Sequence, residues 1–186
     1  EGFTIPFNAE KIHGISTKHA LEVGEDLAEV LDKFSEDVRK AEVLVGHNIE
    51  FDNKIIGAEY LRTERENLLA EAKNIDTSLS TKEFCQLQGG IGGRLKMPKL
   101  IELYEKLFGE GFGDAHDAAY DVDATAKAFF ECLRRSIIET VDDTSANDIL
   151  YESPDLDDAN FATKRQKSSG KIGKTTVKAE DIKGVF

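Results

Sequence analysis

The sequence predicts an α/β domain in which helices flank a mixed sheet, and three observations carry that prediction. Amphipathic helical stretches alternate with short apolar runs, the pattern that sorts into helix and sheet layers. The run from Glu42 to Gly46, EVLVG, is apolar and closed by glycine, as a buried parallel strand requires. The stretch from Gly113 to Arg135 repeats Ala119, Val122, Ala126, Phe129 and Leu133 at three- and four-residue steps, which align on one face of a helix.

In chain order, residues 1–20 read as an extended arm. Pro6 disfavours helix just before it, and Ile12, His13, Gly14 and Ile15 read as a loop touching the core. From Glu25 to Lys40, the residues Leu27, Val30, Leu31, Phe34 and Val38 predict an amphipathic helix. After the first strand, HNIEFDNKIIGAEYLRT opens another helix with Phe51, Ile55 and Ala58 inward, and NIDTSL (Asn74 to Leu79) is a second short strand. The glycines at 89, 90, 92 and 93 lack the strand-before, helix-after setting of a nucleotide fingerprint and read as flexibility. MPKLIELYEKLFG is a helix with Pro98 near its first position. The last helix has Asp114 as N-cap and Asp117 in its first turn, and closes the domain near Ile138. Two short strands are little sheet for four helices. Either the amino-terminal arm pairs with something, or further strands lie upstream.

Bulk properties narrow the function classes. With 24 Lys and Arg against 36 Asp and Glu the chain carries −12, which argues against broad electrostatic adhesion to nucleic acid or an anionic membrane. An acidic pocket filled with divalent cations would still present positive charge to phosphate. Cys85 and Cys132 lack metal-ligand spacing and point to inert thiols in a reduced, cytoplasmic protein. No apolar run approaches membrane-spanning length, and no signal peptide is expected. The chain lacks an initiator Met, which suggests a piece of something longer. Beyond residue 138 the composition changes: 139–158 hold eight acids and no Lys or Arg, whereas seven Lys and Arg follow from Lys164 onward. The domain is therefore expected over 1–138, with 139–186 a disordered, charge-segregated linker or tail and the folded part only moderately acidic.

The candidate chemistry lies at the start of the last helix. His116 and Asp121 stand five residues apart in H-x-A-x-x-D, with Asp121 at the edge of the apolar stripe. A carboxylate there can lean into a cleft while its helix stays anchored, and the histidine can enter the same cleft as base.

Two stretches carry a resemblance. HNIEFD (His47 to Asp52) directly follows the buried strand, and HDAAYD (His116 to Asp121) opens the last helix. Together they resemble the second and third motifs of the DnaQ-like (DEDDh) 3′–5′ exonucleases, among which the proofreading epsilon subunits of DNA polymerase III are most similar. IHGIS, NIDT and MPKLIELYEKLFG support the match, which runs in the family's order from Glu1 to about Arg135. The resemblance implies an RNase H-like fold and two divalent ions, Mg²⁺ or Mn²⁺, held by four carboxylates, of which Asp52 and Asp121 are two. It implies His116 as general base and an unpaired or single-stranded DNA 3′ end as substrate. His13, Ser16 and Asn48 become candidate substrate contacts, and a polymerase or larger chain becomes the expected partner. A related exoribonuclease and a non-catalytic binding module remain alternatives.

One departure stands out. The family's first motif, D-x-E on the first strand, occurs nowhere in these residues. In the family's order it precedes IHGIS, so the motif and its strands are expected upstream together, and the chain as it stands should hold metal poorly. Exposed sheet edges would then favour self-association. Other residues read as structural: His47 and Asn48 hold the strand–helix turn, Phe51 packs in the core, Asp76 supports its strand, and Asp117 and Asp123 are solvated.

Overall fold

The computed structural model describes residues 4–113, 118–139 and Tyr151. The amino-terminal arm is helical where the sequence suggests extension. Pro6, in extended geometry, starts α1 (Phe7–His13), which ends at Gly14 in the left-handed region, φ 73°. Ser16 starts α2 (Thr17–Val23), its hydroxyl accepting the His19 N–H. These are local start and stop signals that an apolar-periodicity reading does not weigh. Neither helix buries a residue, and Ile12 and Ile15 face solvent rather than the core.

Helix α3 (Leu27–Lys40) matches its expected span, with Asp26 accepting two backbone N–H groups at its start. Leu31, Ser35 and Val38 are buried, while Val30 is exposed. Strand β1 (Leu44–Gly46) is buried throughout. Helix α4 (Ile49–Arg62) follows, and a single 3₁₀ turn at Leu68–Ala70 leads into β2 (Asn74–Asp76). The two strands run parallel, with Leu44 opposite Asn74, Val45 opposite Ile75 and Gly46 opposite Asp76. NIDTSL is thus strand only as far as Asp76, whose carboxylate accepts the Ser78 and Leu79 N–H groups and turns the chain into α5 (Thr77–Ser80). Helix α6 (Lys82–Cys85), the glycine loop, α7 (Leu100–Phe108) and α8 (Ala118–Arg134) complete the described chain. Pro98 precedes the α7 N-cap, Lys99, by one residue, so it sits just outside the helix.

Successive strand residues point to opposite faces, and β1 shows it directly. Leu44 joins Leu31, Val38, Ile49, Tyr60 and Leu69 on one side of the sheet. Val45 joins Leu103, Leu107, Phe129, Leu133 and Ile138 on the other. The result is a layer of α3 and α4, the sheet, and a layer of α6, α7 and α8. On the first side Tyr60 is fully enclosed, and its hydroxyl lies 2.8 Å from Ser35 Oγ, which in turn donates to the Leu31 carbonyl.

Four expectations are corrected here. In α4 the inward residues are Ile49, Ile56 and Tyr60, whereas Phe51, Ile55 and Ala58 face solvent. The helix is apolar on both sides, so spacing alone left its rotation undetermined. Asp123 is buried, not solvated. The glycine loop is a specified turn: Gly89, Gly92 and Gly93 have φ of 109°, 71° and 75°, and a Cβ at Gly90 would lie 2.4 Å from the Arg94 carbonyl oxygen. Finally, residues 1–138 hold 17 Lys and Arg against 26 Asp and Glu, a net −9, because the two charge blocks of the tail largely cancel. Residues 1–138 therefore carry most of the charge.

Cys85 and Cys132 share the second core, where burial raises both thiols, Cys132 up to about 12. Among the described residues no helix is long and apolar enough to cross a membrane. Except for Glu139 and Tyr151, the predicted tail at 139–186 lies outside the described residues.

Candidate functional site

Because β1 and β2 are parallel, their carboxyl ends open to the same side, the place where open α/β sheets hold ligands. The chain leaves β1 through His47 and Asn48. Asn48 adopts left-handed geometry, φ 64° and ψ 41°, a conformation asparagine tolerates better than most residues. Its N–H donates to Asp76 Oδ1 at 2.9 Å, so a single carboxylate oxygen ties the end of β2 both to the entry of α4 and to the start of α5.

His47 is the second tie. Its Nε2 lies 2.9 Å from the Pro98 carbonyl oxygen and its Nδ1 3.0 Å from Thr77 Oγ1. A carbonyl can only accept, so Nε2 carries the proton. Burial lowers the proton affinity of the ring, opposed by the Pro98 carbonyl and by the negative charges of Asp76 and Asp121. Thr77 Oγ1 has one hydrogen and two acceptors within reach, the neutral ring's Nδ1 and the Gly46 carbonyl oxygen at 3.1 Å. Ser78 Oγ donates to the same Pro98 carbonyl at 2.9 Å. Three segments far apart in sequence are thereby fixed under one opening.

The two candidate carboxylates lie on helices of opposite layers. Asp52 sits in the first turn of α4, half-buried; burial raises its proton affinity, with the Asp76 charge adding to the effect. Asp121 sits in the first turn of α8, half-buried, close enough for its charge to act on His47. Asp76 thus acts on both Asp52 and His47, and Asp121 acts on His47; the charge these carboxylates bring is negative and favours a cation or a proton over an anion.

The other predicted residues are placed differently. His13 Nδ1 accepts the Ile15 N–H at 3.0 Å and Ser16 caps α2, so both serve the exposed turn between α1 and α2. Asn48 holds the turn into α4 through its backbone. His116, with Asp114 and Asp117, lies outside the described residues. Sequence reasoning passed over Thr77, Ser78 and Pro98 as partners of His47. The one available signal was Asp76-Thr77-Ser78, which reads as a helix start in the middle of a presumed strand.

Whether this arrangement fits divalent metal is a question of donor number. Among the described residues no three His, Cys, Asp or Glu side chains form a group able to hold a metal ion. Asp76 is a poor recruit, since its Oδ1 already accepts three N–H groups. The described donors do not make the two-metal site that four carboxylates would.

Comparison with known proteins places the chain. The sequence profile of the RNase T family, described as exonuclease, matches residues 2–129. No protein of curated function matches.

Proposed function

We propose that this chain, which belongs to the exonuclease family, acts in the 3′–5′ direction on DNA ends as a proofreading domain. Its nuclease character follows from the family; direction, substrate and partner are our reading. What supports it is the placement of Asp52 and Asp121 in the first turns of two helices from opposite layers, with the charge of Asp121 acting on His47, which directly follows β1. These are the two positions that the resemblance to DnaQ-like enzymes assigns to carboxylate ligands. Exonuclease domains of this superfamily typically use divalent metals, and Asp52 and Asp121 are what this chain offers toward them. Because the described donors fall short of a metal pair, the reading requires further carboxylates in the active molecule.

Within that reading His116 takes the proton from the attacking water, a task suited to a side chain that titrates near neutrality. His47 does not compete for it, because its ring is neutral with both nitrogens engaged. Its work is to keep the entries of α4 and α5 against the loop before α7, so that Asp52 keeps its place. A polymerase or larger chain, reached through the residues after 139, is the partner this reading favours.

The test uses the protein expressed from its full reading frame and a 5′-labelled single strand of DNA with Mn²⁺. Wild-type protein should shorten the strand stepwise from the 3′ end, and Asp121→Asn should lose at least about 10²-fold in rate while melting at the same temperature. Stepwise loss that persists in Asp121→Asn would remove this residue from the site. A folded wild-type protein that cuts neither DNA nor the matching RNA would favour the non-catalytic binding module.

A further inference from the structure

Helix α8 is covered on two sides. One side meets the sheet and α7 through Ala124, Ala128, Phe129, Cys132 and Leu133. At 100° per residue, Asp123 lies about 200° round the helix from Asp121, and Phe130 about 180°. Both belong to the side away from the candidate site, yet both are buried, at 7% and 5% exposure. Tyr151 covers them. Its ring stacks on Phe130 with centroids 5.4 Å apart and planes 12° from parallel, and its hydroxyl donates to Asp123 Oδ1 at 2.9 Å. Lys127, one turn on, holds Asp123 Oδ2 at 3.1 Å. Each oxygen of this carboxylate is therefore gripped from a different direction. The Tyr151 hydroxyl is held in its protonated, donating form by burial and the Asp123 charge.

A helix pressed from one side can roll about its axis, whereas a helix gripped from both sides cannot. We infer that Tyr151, with Asp123 and Lys127, is a positioning latch that fixes the rotation of α8 and so aims Asp121 at the strand ends. The latch binds neither substrate nor metal. It acts through Asp121, and in that respect the inference rests on the proposed function.

The test begins without activity. Amide hydrogen exchange over 118–124 is compared in wild-type protein, Tyr151→Phe, Asp123→Asn and the double variant. Tyr151→Phe keeps the stacked ring and Asp123→Asn keeps the shape, so neither threatens the fold. Exchange should quicken about tenfold in each single variant, the scale of one charge-assisted hydrogen bond, and the double variant should be no worse than either. In the full-length nuclease assay the single variants should lower kcat several-fold and raise the Mn²⁺ concentration needed for half-maximal rate, with KM for the DNA end unchanged. Exchange confined to residues beside Tyr151, with 118–124 and the Mn²⁺ requirement unmoved, would overturn the latch and leave Tyr151 a mere anchor of its own segment. Independent, additive effects of the two single variants would overturn it as well. Faster exchange at 118–124 in a protein with no nuclease activity would sink the nuclease reading and leave the latch standing.

Discussion

Helices α4 and α8 each present one candidate carboxylate from the first turn, but they are held in opposite ways. Helix α8 is enclosed on two sides, with seven of its residues buried, among them Phe129 and Cys132 at 2% exposure or less. Helix α4 buries only Ile49 and Tyr60, one near each end, and turns Phe51 and Ile55 to solvent at 60% and 49% exposure. Where α8 is fixed by packing, α4 is fixed at its ends, by the Asn48–Asp76 bond at one and the Tyr60–Ser35 contact at the other. Equal chemistry therefore rests on unequal support. Single substitutions should find the enclosed helix sensitive along its length and the other only at its ends.

The largest effect follows from that contrast. Phe129→Ala in α8 should cost about 3–5 kcal/mol in urea unfolding, whereas Ile55→Ala in α4 should stay within about 0.5 kcal/mol. Equal losses would break the comparison. A smaller effect sharpens it at the entry to α4. Asp76→Ala removes the shared acceptor of three N–H groups and should cost about 1–2 kcal/mol. Asp52→Asn, close by, should instead raise the melting temperature slightly at pH 7. The sign comes from linkage: burial and Asp76 raise the folded-state proton affinity of Asp52, so its carboxylate disfavours the folded state above the ordinary aspartate range. Below about pH 4 the gain should vanish, because the group is then protonated in both states. Melting curves of wild type and Asp52→Asn at pH 7 and pH 3.5 decide it, and a destabilised Asp52→Asn at pH 7 would contradict the assigned cause.

What the sequence disclosed follows the same division. The buried strand EVLVG, the span of α3 and the existence of α8 were legible because burial and period leave direct marks on the order of residues. The candidate pair Asp52 and Asp121 came only from motifs whose meaning comes from a family. The rotation of α4 was not legible, since Ile49, Phe51, Ile55, Ile56 and Tyr60 put apolar groups on both sides of it. The helices of the amino-terminal arm were missed because they depend on the caps at Pro6 and Ser16 and bury nothing. The burial of Asp123 could not be read locally, for it depends on a tyrosine 28 residues further along, in a stretch whose composition suggests a solvated tail. The glycine loop misled for a related reason. Glycine marks both looseness and tight backbone approach, and only the carbonyls of Arg94 and Leu95 against Gly90 tell the two apart.

The bonds of His47 span 30 residues to Thr77 and 51 to Pro98, whereas the helix caps span two or three. Closing loops of that length costs chain entropy before any hydrogen bond repays it. Caps and isolated helices can thus form early during synthesis, while the cleft waits for the last of its three segments to arrive. A chain that has not yet reached Pro98 has the beginnings of both layers, but the entries of α4 and α5 still lack their tie to the loop before α7.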